Sequence, residues 1–406
     1  MTAAVAFLSQ GKLHLSTGPG RTRVIPSIFG ETVRDRALRM QQKNAWKTQG
    51  TGAQFMGGGM LWGGRERDPL EMRIEITGLT RGEQPSDLIY SLDTDDLAGV
   101  FLLRDFGAEE RRLFHSTDRR VRDLSSDPSE PRLACAVKHS NGIWNIGVMS
   151  MDGSGLCEAT EGDSIDRAPS WIPGRPNEIV FQSAGIGRDR NGVAVGAGPF
   201  HLETLNIVTG EMTCVAEDAR HDLFAPRFDP AGNLFFIRRP HRSLTERPSL
   251  VRGLLDLVLA PFRLLLALYH WLNFFSFRNS GQPLNTQSGG QRQMDLKKMM
   301  IYGNLVNVER ALQKERDAES PSLVPKTWEL VRQDPDGEES VISRGVLAFD
   351  IAPDGTIIHT NGNAVFRETF DGKSERVVVS QFIEHIVACA EQNPDSLAAA
   401  AAPAAP

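Results

Sequence analysis

"IGVMSMDGSGLCEATEGDSIDRAPSWIPGRPNEIVF", residues 146–181, strings together a strand, a tight "MDGSG" turn, a short strand, a proline turn and a strongly apolar strand. The closing phrase of this stretch recurs. It reads "APSWIPGRPNEIVFQS" from Ala168, "APRFDPAGNLFFIRR" from Ala225 and "FDIAPDGTIIHT" from Phe349, with a degraded copy, "LSSDPSEPRLACAV", from Leu124. In each copy a short strand runs into a proline (Pro173, Pro230, Pro353, Pro128). Proline presets φ for the first turn position, and Gly or Asn supplies the reversal. Ile179, Val180 and Phe181, like Leu234 to Ile237, then form runs apolar enough for burial on both faces.

Further strands follow each phrase and end in a second turn: "IGVMSMDGSG", "LETLNIVTGE" and "AVFRETFDGK". The closing strands "LCEAT", "MTCVAE" and "ERVVVS" complete the units. Four short antiparallel strands per unit, repeated around a ring, describe a β-propeller blade. The stretch 146–181 resembles the TolB-like (WD40-like) propeller repeat, in which an "xDGS" turn precedes "xPSWSPDG" and a buried strand. The resemblance covers residues 121–240 well and 344–381 fairly. It implies an all-β, six-bladed propeller and, since fold does not fix function, nothing about chemistry. TolB is periplasmic and this chain shows no export signal, so the partners of TolB are not carried over.

Blades are expected over residues 72–117, 121–160, 165–217, 221–343 and 346–380. The sixth is composite. The first 27 residues hold three strands, "AAVAFLSQ", "KLHLST" and "TRVIPS", and "FIEHIVACA" near the other end is left over. Pairing residues 382–389 beside residues 3–9 closes the ring and removes both sheet edges. The propeller therefore spans 1–390, and the Ala/Pro-rich residues 391–406 are expected to be disordered.

Two insertions interrupt the pattern. Residues 30–68 begin with helix-forming composition and continue into "TQGTGAQFMGGGMLWGG", too glycine-rich for a regular element. Met56, Met60 and Trp62 in that loop are candidate partner-docking residues, and packing on the propeller rim is the plainer alternative. No phosphate-binding glycine pattern is present. Residues 240–326 separate two strands of one blade and contain "VRGLLDLVLAPFRLLLALYHWLNFF", residues 251–275. A single membrane pass there would leave its ends on opposite sides of a bilayer, yet both must return to the same blade. No second span exists.

Arg252, Asp256, Arg263 and His270 fall in a stripe roughly 40° wide at about 100° per residue, with apolar residues around it. The helix is expected to lie in a membrane interface or against another protein, with cover of the chain's own propeller as the third alternative. Candidate docking residues are Arg238, Arg239, Arg242 and Arg247 for an anionic surface, with Leu254, Leu257, Leu264, Leu265, Leu268, Tyr269, Trp271 and Phe274 for the apolar phase.

With 45 Lys and Arg against 51 Asp and Glu, the formal net charge is −6, so no nucleic-acid partner is expected. Four separated cysteines signal neither zinc nor disulfides and read as buried free thiols. None of the nine histidines stands in ligand spacing, and no GxSxG elbow is present. No catalytic, cofactor-binding or metal residue is assigned.

The function expected is a non-catalytic scaffold, part of a multi-subunit complex. It would be cytoplasmic and attached to the inner face of a membrane through residues 248–278. The alternative is a channel-sited lyase or hydrolase with a His/carboxylate site, to be recognised by three or more such groups converging on the channel.

Overall fold

A computed structural model describes residues 4–18, 20–48, 73–94, 96–241, 299–301, 304–306, 320–368 and 374–389. Six four-stranded antiparallel sheets form the blades of a β-propeller. The second strand of each blade shows why the sequence reads as uninterrupted apolar runs. Along Val5–Ser9, Val5 and Phe7 pack with Ile358 and Val365 of the blade that begins at Ala348, while Ala6 and Leu8 pack with Leu79 and Tyr90 of the blade that begins at Ile74. Side chains alternate with a period of two, and each face meets another blade, so neither face can be polar. Ile179, Val180 and Phe181 do the same in blade 4, all 0% exposed.

Blade 1 is the composite one. Its inner strand is Ile383–Ala388, followed outward by Val5–Ser9, Lys12–Ser16 and Thr22–Ile25. The closing register is Val5 with Ala388, Ala6 with Val387, Phe7 with Ile386 and Leu8 with His385. The closure expected from the sequence is therefore the one observed. Blades 2 to 6 begin on inner strands Ile74–Arg81, Arg120–Ser126, Arg167–Trp171, His221–Phe228 and Ala348–Ile351. Each inner strand touches those of its two neighbours, so the six ring the axis.

The repeated phrase acquires a structural meaning here. Inner strands shift register between Arg122 and Ser125, Arg167 and Ser170, and Phe224 and Arg227. The residue after the first of each pair, Asp123, Ala168 or Ala225, takes φ near +50° (50°, 51° and 50°). Such a bulge sharpens strand twist and redirects the following side chains. Blade 2 breaks register at the equivalent place, between Ile76 and Gly78. A Cβ on Gly78 would lie 2.7 Å from Ser91 Oγ and 3.1 Å from the Asp123 nitrogen, so only glycine allows that approach.

Three features depart from or extend the sequence expectations. Blade 4 carries a small hairpin, Ile186–Arg188 with Ala194–Ala197, that the repeat pattern did not disclose. Cys135 and Cys389 are buried, as expected of free thiols, but Cys157 and Cys214 sit exposed on outermost strands. Within the first insertion a helix spans Ile28–Thr48. Its start is fixed by Glu110, whose carboxylate accepts the Ile28 and Phe29 N–H groups at 2.9 and 2.7 Å and the Tyr90 hydroxyl at 2.6 Å. An acidic group at the helix N-terminus satisfies otherwise orphaned donors and the helix dipole together.

Residues 49–72, with Met56, Met60 and Trp62, lie outside the described residues, as does the tail after Cys389. The chain divides into two units, residues 1–241 with 311–406 and residues 242–310. The second is described only as a two-stranded antiparallel hairpin, Met299–Ile301 with Asn304–Val306. Among the described residues no helix is long and apolar enough to cross a membrane. Residues 248–278 are not among them.

Candidate functional site at the propeller axis

Inner strands of five blades, four of them bulged, bring charged side chains to the axis. Asp350 of blade 6, its side chain 2% exposed, is the hub. It accepts the Ala388 N–H of the closing strand at 2.8 Å and a hydrogen bond from Arg81 Nη2 of blade 2. Arg227 Nη1 of blade 5 lies 3.2 Å away. Arg81 also donates to the carbonyls of Ala388 at 2.7 Å and Ile351 at 2.8 Å. Arg81 therefore bridges blades 2 and 6 across the closing strand.

Asp123 of blade 3 forms the second pair. Arg167 of blade 4 holds it with two hydrogen bonds, Nε to Oδ2 at 2.8 Å and Nη2 to Oδ1 at 3.1 Å. Burial alone would raise the Asp123 pKa, but the Arg167 guanidinium outweighs it and leaves the carboxyl below its ordinary value. A bidentate arginine on a buried carboxylate fixes geometry as well as charge.

His385, on the closing strand, sits in the field of Arg227, Asp123 and Asp350. Its Nδ1 is buried and has no hydrogen-bond partner among the described residues. Burial pushes its pKa down to about 4, with Arg227 adding to the effect and the two aspartates opposing it. The adjacent Glu384 is shifted upward, by burial first and then by Glu75.

The low pKa of His385 has a measurable consequence. Between the ordinary value of 6.5 and about 4, the unfolded chain takes up a proton that the folded chain refuses. Stability should therefore fall as pH drops through that window, by roughly 3 kcal/mol when complete. His14, also lowered by burial, acts in the same direction, and His201, raised by its hydrogen bond to Glu203, opposes it. Melting temperatures measured from pH 7 to 4.5 should decline less steeply in His385→Gln than in the native chain. Equal slopes would show that His385 does not titrate as placed.

Five other histidines meet carboxylates near their own strands. His139 meets Glu158 at 2.7 Å, His201 meets Glu203 at 3.0 Å, and His221 meets Asp218 at 2.7 Å. His241 meets Asp222 and His359 meets Glu368, both at 2.7 Å. Among the described residues no three His, Cys, Asp or Glu side chains are grouped to hold a metal ion.

Of the candidate docking residues, Arg238 and Arg239 are described. Arg239 requires correction: it is 3% exposed, 3.3 Å from Asp222, with its guanidinium 3.8 Å from the Phe224 ring centroid and 4.8 Å from that of Trp328. Its charge is spent inside blade 5, where an aromatic sandwich and a buried carboxylate compensate it. Arg238 is held by Glu339 at 2.6 Å and Glu329 at 3.1 Å. Arg242, Arg247, Leu254, Leu257, Leu264, Leu265, Leu268, Tyr269, Trp271 and Phe274 lie outside the described residues.

No family model matches the chain, and no curated protein matches it. Solved structures do. The chain is similar to one in a crystal structure of a nidogen/laminin complex, with TM-score 0.52 and 8% identity, over 96% of this chain and 100% of that one. The fold is a six-bladed β-propeller. TolB from Acinetobacter baumannii itself aligns with TM-score 0.48 and 9% identity, over 95% of this chain and 66% of TolB. An oligogalacturonate lyase from Vibrio parahaemolyticus aligns with TM-score 0.38 and 9% identity, over 76% of this chain and 79% of that one. Identities this low speak to the fold alone.

Proposed function

We propose that the chain is a non-catalytic propeller scaffold that binds other proteins of a multi-subunit complex. In this reading it works in the cytoplasm, at the inner face of a membrane, and residues 248–278 hold it there. The observation that supports this most is the root of the second insertion. Leu234–Pro240 and Glu329–Gln333 are neighbouring strands of blade 5, and Arg238 pairs with Glu329. The two ends of the insertion thus leave and rejoin the propeller side by side. An apolar run on such a stem returns to the side from which it left, as a helix lying on a surface does and a single span does not.

The test replaces residues 248–278 with a short Gly/Ser linker. The shortened chain should fold, because the insertion joins two strands without supplying either. Native protein should float with anionic liposomes and the shortened protein should not. Native protein left in the dense fraction at low salt would count against membrane attachment. Persistence there in a defined complex that the deletion breaks would make the segment a protein-docking element.

One observation favours a second reading, the channel-sited lyase or hydrolase. His385 lies in the electrostatic field of Asp123 and Asp350, although among the described residues no three such groups stand close enough to hold a metal ion. Both carboxylates are already engaged by arginines, which suits a structural bolt better than a reacting pair. Stoichiometric metal that copurifies with the native chain and is lost in His385→Gln would reverse this preference.

A further inference from the structure

Cations gather where the inner strands of blades 3 and 4 begin. Lys138 is the cross-strand partner of both Arg120 and Trp144, so the three stand in one row on one face of blade 3. Arg122, two residues along from Arg120, shares that face. Arg167, the first residue of blade 4's inner strand, lays its guanidinium 4.6 Å from the Trp144 ring centroid, and Lys138 Nζ lies 5.4 Å from the same ring.

The four cations face two carboxylates. Asp93 serves Arg122 at 2.5 Å and Arg120 at 4.0 Å, while Asp123 serves Arg167. Among the described residues Lys138 is in no ion pair with a carboxylate, and it is exposed. Partial burial first, then Arg122, Arg167 and Arg120, lower its pKa. Lys138 is thus a positive charge held among positive charges, in a chain whose net charge is −6. A carboxylate arriving there relieves that repulsion without breaking an existing pair.

We infer that this face of blades 3 and 4 docks an acidic segment of a partner protein, with Lys138 and the Arg120–Arg122 pair as its charged contacts. The inference rests on the scaffold reading and names the chemistry of one partner. A segment of chain fits better than a compact anion. Asp93 and Asp123 lie among the cations, so a phosphate dianion would be set against one or the other. Carboxylates spaced along an extended peptide, about 7 Å apart at alternate residues, can meet Lys138 and the guanidinium edges singly. A long nucleic acid would meet the repulsion of the acidic chain as a whole.

The experiment uses the full chain and a fluorescein-labelled hexaglutamate peptide followed by fluorescence anisotropy. Saturable binding is expected at about 50 mM salt, weakened about tenfold or more at about 300 mM. Lys138→Glu should lose about tenfold in affinity with an unchanged melting temperature, since Lys138 is exposed, and Lys138→Arg should stay within about twofold of native. Absence of peptide binding, equal affinity in Lys138→Glu, or displacement of the peptide by inorganic phosphate at the peptide's own concentration would each overturn the inference. If the native complex persists in a pull-down while hexaglutamate does not bind, the scaffold reading stands and this inference alone falls.

Discussion

Ending the chain after Ser380 is expected to convert a closed propeller into an aggregating protein. The cut removes the inner strand of blade 1 and leaves the whole length of Val5–Ser9 as an open edge. Unpaired backbone of that kind templates pairing with another chain. It also removes Ile383, Ile386 and Val387, 0%, 1% and 3% exposed. At about 1.5–3 kcal/mol for each buried aliphatic side chain, these three contribute roughly 5–9 kcal/mol. That is comparable with the whole stability of an ordinary domain, about 5–15 kcal/mol. The check is size-exclusion chromatography and thermal melting of the shortened chain beside one ending at Cys389. The shorter chain should elute in the void and lose its cooperative transition, and a peptide of residues 381–389 added during refolding should restore part of it. A monomer with an unchanged melting temperature would refute the closure.

Asp350→Ala should cost about 3–5 kcal/mol, the range for removing one partner of a buried charge pair. The loss exceeds that of an ordinary surface pair, about 0–1 kcal/mol, because two hydrogen-bond donors and a second guanidinium depend on this one carboxylate. Arg81 and Arg227 keep their charges near the axis, and the Ala388 N–H loses its acceptor on the closing strand. Urea denaturation should show the shift in midpoint. Arg227→Met in the same background should recover about 1 kcal/mol or more, since it removes one uncompensated charge. A loss below about 1 kcal/mol in the single variant would mean that the arginines find other compensation and that Asp350 is not the hub.

Much of the architecture is legible in the amino-acid sequence. Blade boundaries fall within a few residues of those read from the proline turns and the apolar runs. A turn is a local device and a strand buried on both faces has a local signature, so neither needs information from elsewhere in the chain. The surplus strand "FIEHIVACA" could be assigned by counting, because a ring of four-stranded blades leaves no strand unpaired.

The axial site was not legible in the same way. Arg81, Asp123, Arg167, Arg227, Asp350 and His385 have no common spacing, because each belongs to a different blade. Their places on the inner strands, those of blades 2 to 5 bulged, bring them towards one another. His385 could be named among the histidines, but "IEHIVA" gives no sign that its Nδ1 is buried without a partner. The same limit misplaced Arg239. In "FIRRPHR" it reads as one of a basic run, whereas Asp222 and Phe224 of the inner strand and Trp328, just ahead of Glu329–Gln333, enclose it.

The sequence by itself determined the number of blades, their strand order and the closure of the ring, because turn chemistry and period-two burial act over a few residues at a time. Only the tertiary structure decided which charges are spent inside the propeller and which remain exposed. Pairing depends on distances between blades, and residues hundreds of positions apart, such as Arg81 and Asp350, become neighbours only when the ring has closed.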